Sequence, residues 1–312
     1  MSAGSTTTEG AVPEAVQALF PAVDLPDAER RFGGLRRLYG EQGYRRLRAA
    51  RVAVVGLGGV GSWTVEALAR SGVAELWLID LDQVSESNIN RQVQALGTTV
   101  GQAKAEALQR RIADIHPDCR VHVVEEFVDD GNWPGLLGGA SVDVLVDACD
   151  QVRAKARLAA WGREVGTPVV CVGAAGGKHR PQDVEVADLS EVSHDPLLAS
   201  LRQRLRQRHG APRAVAASSS KGKRPAGPAP MGVRCVYSRE AVKAPADACD
   251  LGDGSLNCHG YGSSVTVTAT FGLVAANEAI EQVFRRGAEK DAILAGLPDQ
   301  RVVSSVGRAA DS

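Results

Sequence analysis

Five polar residues stand out by type and spacing. Asn88, Arg91 and Lys104 follow one apolar run, and Asp147 and Asp150 end another. A cation pair with an amide, facing a carboxylate pair, suits a magnesium-bound nucleoside triphosphate. Arginine and lysine would neutralise phosphate charge, while an aspartate would hold the metal. A redox dinucleotide needs no such set. The same charges would also serve simply to cap helices around a solvated loop, and spacing alone leaves both readings open.

The elements that must position these residues are legible upstream. Val52 to Val55 is an apolar run suited to a strand buried on both faces. Gly56, Gly58 and Gly61 follow as G-x-G-x-x-G, with an additional Gly59. Glycine lets the backbone turn tightly and approach a phosphate, whose charge the next helix N-terminus favours. A second run, Leu76 to Ile79, ends on Asp80, with Asp82 just beyond. The acidic residue comes about 20 residues after the glycines, the spacing at which a carboxylate meets a ribose hydroxyl. The motif places a nucleotide site without naming the nucleotide.

Further along, the patterns predict helices over Gly101 to Ile115, Trp133 to Leu137 and Gln151 to Glu164, and strands over Arg120 to Val124, Val142 to Val146 and Pro168 to Val172. This alternation implies an α/β fold, a doubly wound, Rossmann-like and mostly parallel sheet with its site at the carboxyl ends of the strands. Two short helices, interrupted by glycines, are expected over Asp27 to Arg48. The organisation reads as a disordered stretch over 1–24, a nucleotide-binding core with N-terminal helices over 25–190, a C-terminal α+β extension over 191–297 and a tail over 298–312. Asp183 to Ala187, at the end of the core, reads as an edge strand; in the extension, Asp195 to His209 reads as a basic amphipathic helix, Ala211 to Pro230 as a flexible loop, Val233 to Tyr237 as a strand and Ser264 to Arg286 as a helix.

Composition excludes several classes. Of 312 residues, 44% are hydrophobic and 23% charged, as in an ordinary globular protein. A net charge of -1 at pH 7 argues against general nucleic-acid affinity, though a local basic patch would be hidden in that sum. The first residues lack the pattern of a secretory signal, so a cytoplasmic location is expected. The most apolar stretch, Val265 to Ala276, is broken by threonines and a glycine and reads as a buried helix. None of the six cysteines forms a C-x-x-C pair.

GLGGVGSW, LIDLDQVSESNINRQ, VGQAKAE and VDACDQVRAKA together resemble the ThiF/MoeB/HesA family of ubiquitin-activating-like adenylating enzymes. The resemblance implies ATP and Mg2+ as cofactors and attack of a substrate carboxylate on the α-phosphate. It assigns Gly56, Gly58 and Gly61 to the nucleotide loop and Asp80 or Asp82 to the ribose. Asn88, Arg91 and Lys104 fall to the phosphates, and Asp150 to the metal with Asp147 close by; Arg91, Lys104 and Asp150 are the implied catalytic set. Outside the shared core, RFGGLRRLYG, GAAGGKHRPQDVEVADLS, DPLLASLRQRLR and NCHGYGSSVTVTATFGLVAA look like the branch that dehydrates threonylcarbamoyladenosine in tRNA to its cyclic form. That branch implies tRNA as substrate, a homodimer, and a sulfur-relay protein as a further partner.

The run Arg202, Arg204, Arg206, Arg208, Arg213, Lys221, Lys223 and Arg224, with no acid from Leu201 to Pro230, fits contact with an RNA backbone; a solvated face and linker is the plain alternative. In related enzymes a partner subunit lends an arginine to the ATP, and here Arg31, Arg36 and Arg37 are all open to that role. Cys258 and His259 carry no assigned role. The nearest rival activity is adenylation of the C-terminal glycine of a ubiquitin-like sulfur carrier, against which the missing C-x-x-C pairs count. A nicotinamide-dependent oxidoreductase or a nucleotide sensor would leave Lys104 and Asp150 unexplained.

Overall fold

A computed structural model describes residues 26–213, 229–242 and 261–295. The segment 1–24, most of the 211–230 loop, Cys258, His259 and the tail beyond 298 lie outside the described residues.

The strands are β1 (Arg51–Val55), β2 (Glu75–Ile79), β3 (Arg120–Val124), β4 (Val144–Asp147), β5 (Val169–Val172), β6 (Val184–Asp188) and β7 (Arg234–Ser238). They form one sheet in the order β3-β2-β1-β4-β5-β7-β6. Every pairing is parallel except the β6–β7 edge, where β6 runs antiparallel and half-buried, as an edge strand should. The helices are α1 (Ala28–Leu47), α2 (Gly61–Arg70), α3 (Lys104–Ile115), α4 (Val152–Val165), α5 (Pro196–Arg208) and α6 (Val265–Leu294).

Alternation along the strands divides the core. Val52, Val54, Leu76 and Leu78 pack with α2, α3 and α6 on one face. Ala53, Val55, Trp77 and Ile79 pack with α4 and α5 on the other. Both faces of the central strands are therefore covered, which is why their sequences are continuous apolar runs. The chain leaves β1 for β2 and β3 on one side, then crosses back to β4 on the other. The carboxyl ends of β1 and β4 thus flank the switch point where such folds bind ligands.

The C-terminal extension joins the same sheet. It supplies β7, which sits between β5 and the edge strand β6, while α6 places Val267, Phe271, Ala275 and Ala279 at four-residue spacing against the β1 face. Gly272 lets α6 sit closely on α2, because a Cβ there would lie 2.5 Å from the Val60 carbonyl oxygen. No described helix is long and apolar enough to cross a membrane. In α1, Gly40 (φ 71°, ψ 172°) breaks the helix in two, as the glycine-interrupted pattern predicts.

Two expectations are corrected. α3 begins at Lys104 and not at Gly101, whose φ of 85° ends a turn instead of starting a helix. The Trp133 to Leu137 helix reduces to a single 3-10 turn, Gly135–Leu137, since Pro134 withholds an N–H and Gly138 turns left-handed.

Candidate active site

The three glycines of the loop have three different tasks. Gly56 adopts φ 85°, and a Cβ on it would lie 2.8 Å from the Cys149 amide nitrogen and 2.9 Å from the Ala148 carbonyl oxygen. The turn after β1 therefore touches the turn after β4, backbone to backbone. Gly58 has nothing near its Cβ position and lines the open cleft. Gly61 does not line it; a Cβ there would fall 1.8 Å from the Gly56 carbonyl oxygen, so its glycine is needed for packing α2 onto the loop. Gly61, read from the sequence as part of the nucleotide loop, is held there by packing and not by lining the cleft.

The loop is fixed at Leu57. Its amide donates to Asp80 Oδ2 at 2.6 Å, and its carbonyl accepts from Gln94 Nε2 at 2.9 Å. Asp80 Oδ1 accepts from the Asp82 amide at 2.8 Å. Asp80 thus ties the end of β2 to the glycine turn, a role the ribose spacing did not reveal. Burial pushes its carboxyl above the usual carboxylate range, against the opposing pull of Lys104 and the two amides.

Asn88, Arg91, Lys104, Asp80, Asp82 and Asp150 all line one cleft of about 450 Å³ at the carboxyl ends of β1, β2 and β4. Asn88 is buried and accepts from the Ser85 amide, closing a capping box on the 3-10 turn Glu86–Asn88. Arg91 is aimed by its surroundings: its carbonyl accepts from Trp63 Nε1 at 3.0 Å, and its guanidinium donates to the Ser87 carbonyl at 2.6 Å. Asn90 donates to the Ser263 carbonyl, joining this loop to the entry of α6, which in turn contributes Thr268 to the cleft wall. Lys104 is nearly buried as the first residue of α3 and lies 2.6 Å from Asp82 Oδ2. A cation in the first turn opposes the helix dipole, so this lysine breaks a local rule at the point where an anion would be received.

The β4 end separates the two aspartates. Asp150 is exposed and faces the cleft. Asp147 is fully buried, 3.1 Å from Lys155 Nζ, and is absent from the lining. Asp147, expected at a metal beside Asp150, has its carboxylate engaged inside the protein by Lys155 and Cys149. Among the described residues no cluster of three His, Cys, Asp or Glu side chains could hold a metal by itself. One exposed carboxylate still fits magnesium, which binds through one or two carboxylates together with substrate phosphates. Cys149 lies beside Asp150, but burial and Asp147 push its thiol well above its ordinary range, so it is a poor nucleophile. Sequence reading missed Lys155, Gln94, Trp63 and Thr268. Only their positions near known motifs, not their types, could have signalled them.

The basic stretch divides in two. On α5, Arg202 donates to the Leu189 and Val192 carbonyls and Arg206 to the Pro212 carbonyl, so both fasten loops. Arg204 and Arg208, one helical turn apart, have no ion-pair or hydrogen-bond partner among the described residues. Leu197, in the first turn of the same helix, lines the cleft. Near the N-terminus, Arg31 caps the end of α3 through the Asp114 and Ile115 carbonyls, and Arg36 pairs with Glu29 and Glu41. Arg37 is exposed and has no such partner among the described residues.

The chain is 41% identical over 279 residues to the tRNA threonylcarbamoyladenosine dehydratase of Escherichia coli K12, spanning 86% of this chain and 99% of that protein. It is 37% identical over 265 residues to the enzyme of the same name from Haemophilus influenzae, covering 84% and 96%. The crystal structure of the E. coli dehydratase TcdA in complex with ATP superposes with a TM-score of 0.71 at 40% identity, covering 85% of this chain and 99% of that one. The ThiF family model matches residues 32–296, and the chain belongs to the ThiF family.

Proposed function

We propose that this protein is an ATP-dependent enzyme that dehydrates threonylcarbamoyladenosine in tRNA to its cyclic form. The observation that carries this reading is the gathering of the glycine loop, Arg91, Lys104 and Asp150 in one cleft. The chain that does so matches a relative of this activity over 99% of the relative's length. The rival, adenylation of a sulfur-carrier glycine, draws only on the common core.

ATP is the nucleotide; Arg91 and Lys104 would hold its phosphates and Asp82 its ribose. Asp150 would hold the Mg2+, which supplies charge neutralisation across the phosphates. The substrate carboxylate oxygen bonds to the α-phosphorus as the bond to pyrophosphate breaks, and the leaving electron pair departs with pyrophosphate. The carbamoyl group of the same side chain then attacks the acyl carbon and gives up a proton to solvent, closing the ring as AMP leaves with the former carboxylate oxygen. The base has lost the elements of water, accounted for as hydrolysis of ATP to AMP and pyrophosphate. Arg91 and Lys104 stabilise the charge that builds on the α-phosphate. The enzyme acts in the cytoplasm as a homodimer, with Arg37 reaching the partner's ATP.

The test is to incubate the purified protein with ATP, Mg2+ and tRNA bearing the modified base, then to weigh the nucleoside. Loss of water is expected. An unchanged mass, with pyrophosphate exchange supported by a carrier protein instead, overturns the reading. Asp150→Ala is expected to abolish AMP formation while keeping the fold; full activity in that variant removes Asp150 from the metal.

A further inference from the structure

Behind the cleft, a buried cation faces a buried anion that neither the nucleotide nor the base needs to touch. Lys155 and Asp147 are both fully buried. Lys155 Nζ donates to the Cys149 carbonyl at 2.9 Å and to the Asp147 carbonyl at 3.3 Å, and lies 3.1 Å from Asp147 Oδ2. That last contact is a charge contact and not an aligned hydrogen bond, since Oδ2 has no hydrogen-bond partner. Asp147 Oδ1 accepts from the Cys149 amide at 3.2 Å and from its thiol at 2.9 Å. The turn between them is also tied to β1, through the Ala148 amide and the Val55 carbonyl at 2.8 Å, and abuts Gly56. Asp150 is the next residue, and Gln151 opens α4 by accepting from the Lys155 amide.

A buried lysine–aspartate pair is a poor device for stability, because an apolar pair of equal volume does as well or better. What it supplies is geometry: the Cys149 carbonyl and amide of a four-residue turn, and the Asp147 carbonyl that leads into it, are pinned from a single ammonium and a single carboxylate. We infer that Lys155 and Asp147 are positioning residues, which lock the Ala148–Gln151 turn so that Asp150 and the glycine loop keep a fixed separation. This rests on the reading of Asp150 as the metal-holding carboxylate.

The variant to make is Asp147→Asn with Lys155→Met, which removes both charges while keeping side-chain size. Three readouts are compared with the parent: the thermal transition, amide hydrogen exchange across 147–151, and the gain in ATP affinity on adding Mg2+. A cooperative transition is expected, with exchange in the turn accelerated and ATP affinity without metal unchanged. The gain from Mg2+ should fall by about 10- to 100-fold, the range for groups that orient a metal ligand. A folded double variant whose exchange and Mg2+ gain stay within about twofold of the parent overturns the proposal. In the unaltered protein, the Ala148 and Cys149 amides should exchange as slowly as those of β1 and β4; exchange at loop rates overturns it without any variant. Asp150→Asn in parallel separates the two readings. It should lose the Mg2+ gain with slow exchange in the turn. Should it keep that gain, the metal reading of Asp150 is what fails, and the positioning role falls with it.

Discussion

Lys104 Nζ sits 2.6 Å from Asp82 Oδ2, in the cleft that the glycine loop, Asn88, Arg91 and Asp150 also line. The lysine is nearly buried and the aspartate about half exposed. The carboxylate therefore keeps a cation ready at a helix N-terminus that would not favour one alone. A phosphate entering the cleft competes with Asp82 for that ammonium. Lys104→Ala should slow AMP formation by about 100-fold or more, the loss typical of one donor to developing charge. Asp82→Ala should act mainly on ATP binding, raising KM about tenfold. Pyrophosphate release across an ATP series checks both, and a Lys104→Ala enzyme at full rate removes the lysine from the phosphates.

The two free arginines on α5 lie along a helix whose first turn borders the cleft. Arg204→Ala with Arg208→Ala should weaken tRNA binding and flatten its salt dependence by about two in log–log slope, one for each lost phosphate contact. Arg202→Ala should lower the melting temperature and leave that slope unchanged, since its guanidinium holds carbonyls. Deleting 214–228 should weaken tRNA affinity and spare ATP binding. Equal affinity after the deletion would make that stretch a linker.

Arg37 can be tested by mixing inactive subunits. Arg37→Ala and Lys104→Ala enzymes, each inactive, should together recover about a quarter of parental activity if subunits exchange, because half the dimers then carry one intact site. No recovery under demonstrated exchange means that the arginine does not act across the interface.

His116 supplies a pH dependence. It is buried beside Arg48, packs on Phe32, and burial with that cation lowers its pKa to about 4. The folded state thus holds the neutral ring while the unfolded chain takes up a proton near pH 6.5. Stability is full above pH 6.5, falls as the pH drops toward 4, and levels off below; the shift corresponds to roughly 3 kcal/mol. Melting curves from pH 7 to 4 should show this slope, and His116→Gln should be flatter over the same window. An identical slope in the variant assigns the effect to other groups.

Much of this molecule is written locally. The continuous apolar runs of β1, β2, β4 and β5 announce strands covered on both faces, and G-x-G-x-x-G with Asp80 announces a nucleotide turn, because period and glycine placement depend on near neighbours. Asn88, Arg91, Lys104 and Asp150 were legible as a set once their motifs were read together. The sequence did not separate the residues that line the cleft from their buried neighbours. Asp147 and Asp150 are the same residue type three positions apart, yet strand pairing turns one into the core against Lys155 and leaves the other in the cleft. Gly58 and Gly61 look alike in the motif, but only the tight seat of α2 on Gly56 separates a ligand-facing glycine from a packing one. The four α5 arginines are chemically identical, and two are claimed by carbonyls of the loops that flank the helix. Residue type and spacing determine which chemistry is possible; burial and partners, which depend on contacts distant in sequence, decide which side chain performs it.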